Sequence, residues 1–149
     1  MHIMIRISIF LLLLSIIRGQ DGLVPQDPAI AEWNTLRGAV NELGKGANLR
    51  TSAERLAAAS ANAKTAANQF RDFRAKYPDH PLSSTARCEE ASALIRAALY
   101  GDTGNDDRIG LLLRDVRLDQ ALTPIQRFRV VAWSQQIPVA RAKPISSAA

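Results

Sequence analysis

The chain has 149 residues, with 19 Lys and Arg against 14 Asp and Glu for a formal charge of +5. That length fits one modest core and leaves little room for a second. Aromatics make up only 5% while Ala recurs throughout, which argues against a β-sandwich and for close-packed helices. The basic residues alternate with acids along helices instead of forming a phosphate-binding stripe, so nucleic acid is not expected as a partner.

The first 19 residues read as a secretory signal peptide. Arg6 supplies the positive n-region, and Ile7 to Ile17 form an apolar run of h-region length. The run falls short of the roughly 20 residues that a membrane span needs, so no stable span is expected after cleavage. Cleavage after Gly19 or after Gly22 fits, and an uncleaved anchor is the alternative. Without a Cys beside the run, lipoprotein attachment does not apply. Removing Arg6 and Arg18 leaves 17 basic residues against 14 acids, a mature excess of +3. The expected location is periplasmic or extracellular.

Residues 20–26 form a Gly/Pro/Asp-rich linker, and the expected helical domain spans 27–137. Asp27-Pro28 offers an N-cap followed by Pro at the first helical position. Ile30, Trp33, Leu36, Val40 and Leu43 recur on one stripe, and Gly44 and Gly46 supply a stop. Thr51-Ser52-Ala53-Glu54 is a capping-box pattern that opens the second helix. Leu56, Ala59, Ala63, Ala66, Phe70, Phe73 and Tyr77 follow at alternating intervals of about 3 and 4, a heptad-like seam. Its first half is lined by Ala and its second by aromatics, so a neighbouring helix can come close at one end and is wedged apart at the other.

Tyr77-Pro78-Asp79-His80-Pro81 breaks the helix. The third runs from Pro81 to about Tyr100 with Leu82, Thr85, Cys88, Ala91, Leu94, Ile95 and Ala98 as its buried set, and Gly101 ends it. The second and third helices form an antiparallel hairpin. Asn105 or Asp106 caps a fourth helix carrying Ile109, Leu112, Leu113 and Val116, and Thr123-Pro124 opens a fifth. There the expected buried face is Ile125, Phe128, Val131, Ala132 and Gln135, widened by Val130 and Trp133. From Pro138 to Ala149 a disordered tail is expected.

Ala66, Phe70, Phe73, Tyr77, Pro78, Pro81, Ala86 and Ala91 resemble the tetratricopeptide-like hairpins of bacterial envelope proteins. In those, a helix ends in paired aromatics and Tyr-Pro before a Pro-led helix of small residues. The resemblance covers about 25 residues. Trp33 and Leu36 look like the Trp-x-x-Leu of a first helix, although Arg37 stands where the family has glycine. The elements read along the chain give an all-α fold of about five helices in antiparallel hairpins; the resemblance implies right-handed stacking of these, with an irregular bundle as the alternative. It also implies a role in protein–protein interaction or scaffolding.

Convergent catalytic groups are scarce. The mature chain holds one Cys and one His, which rules out an internal disulfide and a C-x-x-C pair. Cys88 reads as a small buried filler, and His80 beside Asp79 as a turn residue. Asp102, Asn105, Asp106 and Asp107 crowd oxygen donors as a Ca²⁺ loop would, but without EF-hand spacing, and helix capping accounts for them. No catalytic residue, metal ligand or cofactor is assigned. Helical spacing places most of the aromatics in the core, and those left at a concave surface are the candidate partner contacts: Trp33, Phe70, Phe73, Tyr77 and Trp133. The expected function is a non-catalytic exported interaction module binding a protein or peptide. The alternative is the N-terminal helical domain of a larger exported protein, such as a thioredoxin-like redox enzyme, to which the linker-like stretch from Pro138 would lead.

Overall fold

The computed structural model describes residues 26–43 and 51–142, and every regular element among them is an α-helix. Residues 1–19, read above as a signal peptide, residues 20–25 of the expected linker, the expected stop at Gly44 and Gly46, and residues 143–149 lie outside the described residues. The chain divides into two units, 1–31 and 32–149. Within the first, residues 26–31 hold the start of α1 (Pro28–Glu42), where Asp27 Oδ1 accepts the Ala29 N–H at 2.8 Å. No helix among the described residues is long and apolar enough to cross a membrane.

In the second unit, α2 (Ser52–Lys76) begins at the expected capping box. Thr51 Oγ1 accepts the Glu54 N–H at 3.1 Å, and the Glu54 carboxylate accepts the Thr51 N–H at 2.9 Å, satisfying two orphan donors reciprocally. Ala63, Ala66, Phe70 and Phe73 of the seam are buried, while Leu56, Ala59 and Tyr77 are half-buried. Residues 32–43 of α1 run antiparallel to α2. Trp33 wedges against Phe70 and Phe73, with ring centroids 5.7 and 5.2 Å away, and the Tyr77 hydroxyl donates to Glu32 at 2.7 Å. At the other end of α1 the Asn62 amide donates to the Leu43 carbonyl. Ile30, expected on the inward stripe, is exposed.

The turn after α2 leads to α3 (Leu82–Leu99). His80 Nδ1 accepts the Leu82 N–H at 3.1 Å, so the imidazole satisfies a donor at the start of α3. At the far end Gly101 adopts φ +99°. Its N–H bonds the Ala98 carbonyl at 3.1 Å and that of Asp102 the Ala97 carbonyl at 3.0 Å, a Schellman stop that needs the left-handed conformation glycine tolerates.

α3 is the axis of the fold. It packs against α2, α4 (Asp106–Leu118), α5 (Pro124–Ser134) and α6 (Gln136–Ala142). All residues from Glu90 to Ile95 are buried, Ser92 and Glu90 included, as befits a helix enclosed on all sides. The expected set is buried at Cys88, Ala91, Leu94, Ile95 and Ala98, but Leu82 and Thr85 are only half-buried. Small residues at Ala86, Ala93, Ala97 and Ala98 let several neighbours approach the same axis.

Glu90 is the polar node of this core, with its side chain only 2% exposed. Arg108 of α4 bonds its Oε1 through two nitrogens at 2.7 and 3.0 Å and reaches Asn68 of α2 at 3.1 Å. Arg74 Nη1 of α2 lies 3.2 Å from Oε2, an ionic contact off the line of a hydrogen bond. One buried carboxylate thereby ties three helices together.

The chain remains helical to Ala142, where disorder was expected from Pro138. The correction follows from Pro138 falling in the first turn of a new helix, where a missing N–H goes unused. Ile137 is buried, and Arg141 grips Asp106 with two nitrogens at 2.7 and 2.8 Å.

Candidate interaction surface

Thr123 and Gln126 close a second capping box, and Pro124 occupies the first turn of α5. Arg127 Nη1 donates to the Asp119 carbonyl at 2.7 Å, anchoring the helix to the turn that precedes it. On the side facing α3, Val130 is fully buried and Ser134 nearly so. The Gln126 carbonyl lies 3.9 Å from Cys88 Sγ. Residues 126, 130 and 134 recur every four positions, so the inward stripe is narrow and small.

That orientation turns part of the expected buried face outward: Ile125 is 78% exposed and Phe128 73% exposed, with Ala132 half-buried beside Phe128 and Gln135 exposed, while Val130 is buried and Val131 half-buried. The sequence reading assigned this face to the core on its hydrophobicity, whereas the close approach of α3 at Cys88 selects the smaller stripe instead. Trp133 stays partly exposed, with the Arg129 guanidinium 5.7 Å above its ring. Arg129 also contacts Glu89 of α3 at 3.3 Å. The α5 sequence PIQRFRVVAWS holds two arginines and no acid, so its apolar face carries a positive edge.

The five aromatics expected at a partner surface divide sharply. Phe70 and Phe73 are buried with Trp33 packed against both, so these three expose little surface. Tyr77 stacks on Phe73 with centroids 5.1 Å apart and gives its hydroxyl to Glu32. Of the five, Trp133 alone presents a substantial surface, and it does so in line with Arg129 and Ile125 at intervals of four, Ile125 being a residue that the sequence had given to the core.

The reactive groups singled out in the sequence are engaged structurally. Cys88 is buried, and burial pushes its thiol up to about 11, so little thiolate forms at neutral pH. Asp102 accepts from Asn105 at 2.8 Å and pairs with Lys64 of α2 at 3.0 Å; these contacts, the Asn105 amide foremost, hold its carboxyl below the usual range. Asp106 is held low by Arg141. The acidic loop therefore ties the α3–α4 turn to α2 and α6. Asp107 is exposed at the start of α4, where a negative charge complements the helix dipole.

No family model, curated protein or solved structure matches the chain.

Proposed function

We propose that this protein is a non-catalytic, exported interaction module. Its outward face of α5 receives an amphipathic helix of a partner protein, with apolar residues seated on Ile125, Phe128 and Trp133 and flanking carboxylates meeting Arg129. The observation that carries this reading is the exposure of Ile125 and Phe128 on adjacent turns of a helix capped at its start and packed on α3. Contiguous exposed apolar side chains on a monomer mark contact sites, and the absence of acid from α5 selects a partner of opposite charge. The helix-in-groove mode reads such anchors at intervals of three and four. A buried, high-pKa thiol and an imidazole committed to a helix start support a role other than catalysis. The basic and apolar composition of residues 1–19 supports export. The α2–α3 hairpin is read as one degenerate tetratricopeptide-like unit, on the residues from Ala66 to Ala91.

The test places a photo-crosslinking phenylalanine at position 128 of the full chain in its native host. The expected result is a crosslink to an acidic, amphipathic helical peptide of another protein, lost on Arg129→Glu with the fold retained by circular dichroism. Crosslinks only to a second copy, or none from a folded protein, overturn the docking assignment. A mature N-terminus at Gln20 or Leu23 supports export, and an intact leader in the cytosolic fraction overturns it.

A further inference from the structure

Away from the α5 face, a cavity of about 450 Å³ opens between α2, the end of α3 and the second half of α1. Its origin is legible in the seam of α2. At the aromatic end, Trp33 fills the gap between α1 and α2; toward the Ala end, no large side chain on α2 replaces it. Val40 and Leu43 of α1 and Ala63, Ala66 and Phe70 of α2 supply the cavity's apolar lining, with Asn41 and Asn62 beside them. The volume lies in the range of small-molecule sites.

The polar side of this space is unbalanced. Arg37 and Arg96 both line it, and among the described residues neither has an ion-pair partner. Arg96 Nε is shut off from solvent and donates to nothing. A buried guanidinium N–H without an acceptor is costly and rare in native proteins. Glu89, the one acid on the lining, is already engaged by Arg129 at 3.3 Å. Two guanidiniums therefore line the space without a carboxylate of the lining left to pair with them.

We propose that this cavity binds a small monoanionic amphiphile, a carboxylate carrying an unbranched apolar tail. The carboxylate pairs with the guanidiniums of Arg37 and Arg96 where they line the cavity, and the tail occupies the space between Val40 and the alanines of α2. A guanidinium fork suits a planar carboxylate. The site is independent of the α5 face and would stand if docking there failed.

The test is calorimetric titration of the full chain with decanoate below its micelle concentration, with decan-1-ol and decyl phosphate as comparison ligands. The expected result is saturable one-to-one binding of decanoate, with decan-1-ol weaker by roughly ten- to a hundredfold, the worth of hydrogen bonds to a charged group. Arg96→Gln should lose a similar factor. Should that variant fold poorly, Arg37→Gln at the exposed rim should weaken decanoate but not decan-1-ol, and Ala59→Leu should occlude the tail space and weaken both. Absence of saturable binding, equal affinity for acid and alcohol, or indifference to all three variants overturns the site. Tighter binding of decyl phosphate overturns the monoanion assignment.

Discussion

Replacing Glu90 with Ala is the sharpest test of the packing. The carboxylate is almost fully buried between Arg74 and Arg108, whose side chains retain 24% and 27% exposure. Removing one partner of a buried ion pair typically costs about 3–5 kcal/mol, because the remaining charge stays desolvated. Here both arginines can turn partly to water, so the loss should be smaller, about 2–3 kcal/mol. That is a large share of the roughly 5–15 kcal/mol that stabilises a domain. At about 4 °C per kcal/mol for this size, Tm should fall by about 8–12 °C. Urea unfolding followed by circular dichroism at 222 nm measures it, together with Arg108→Ala and the double variant. The pair of substitutions should cost less than the sum of the two alone. A Glu90→Ala loss under about 0.5 kcal/mol, or strict additivity, would refute the claim that this carboxylate joins α2, α3 and α4.

Three further outcomes are expected. A thiol reagent at pH 7 should leave Cys88 unmodified in the native protein and react fully once denaturant opens the core, since burial raises the thiol to about 11; rapid native labelling would contradict that burial. Asp102 and Asp106 are held below their ordinary range by Asn105 with Lys64, and by Arg141. Because the folded protein depresses these values, their stabilisation is present above the unfolded value of about 3.9 and fades as pH falls through the folded values. The Asp102→Asn/Asp106→Asn variant should therefore unfold at lower urea than the parent at pH 7, with the two midpoints converging as pH falls through the depressed folded values. Gly101→Ala meets no clash around its Cβ, but its φ of +99° strains any L side chain, so a loss of about 1–2 kcal/mol in urea unfolding is expected.

The helix termini were the most legible part of the fold. Both Thr-led starts, at Thr51 and Thr123, and the Gly101 stop use residues whose side chain or missing Cβ acts within four positions, so neighbours in sequence suffice to recognise them. The α2 seam was legible for a related reason: Phe70 and Phe73 are large enough to dominate whatever packs on them. What escaped was set by other helices. Glu90 reads as a surface charge until Arg74 and Arg108 enclose it, and Pro138 reads as a breaker until it falls in a first turn. The extent of α3 was read correctly but not how fully it is enclosed, because Ala93 and Ala97 lie off the expected seam and show no amphipathic contrast. The candidate contact face was read only in part. Trp133 was named, but Ile125 and Phe128 were assigned to the core by hydrophobicity.

The roll of α5 accounts for that error and gives the exposed face its meaning. Turning Ile125 and Phe128 inward would remove apolar surface worth roughly 1.5–3 kcal/mol for each side chain fully buried, so an unconstrained helix would rotate. Several contacts oppose rotation at once. The Arg127 guanidinium is fastened to the Asp119 carbonyl, Arg129 reaches Glu89, and Val130 is enclosed with no exposed surface. The Gln126 carbonyl sits against Cys88, a small residue that permits this approach and leaves no volume for a phenyl ring in the same place. The thiol therefore matters to α5 through its size. Because the inward stripe is narrow, the larger apolar residues remain on the far side, beside Arg129, on a helix whose start is fixed by its own capping box. Exposure there is set by a fixed helix orientation, and a fixed apolar face with a cationic edge is what a recognisable partner helix requires.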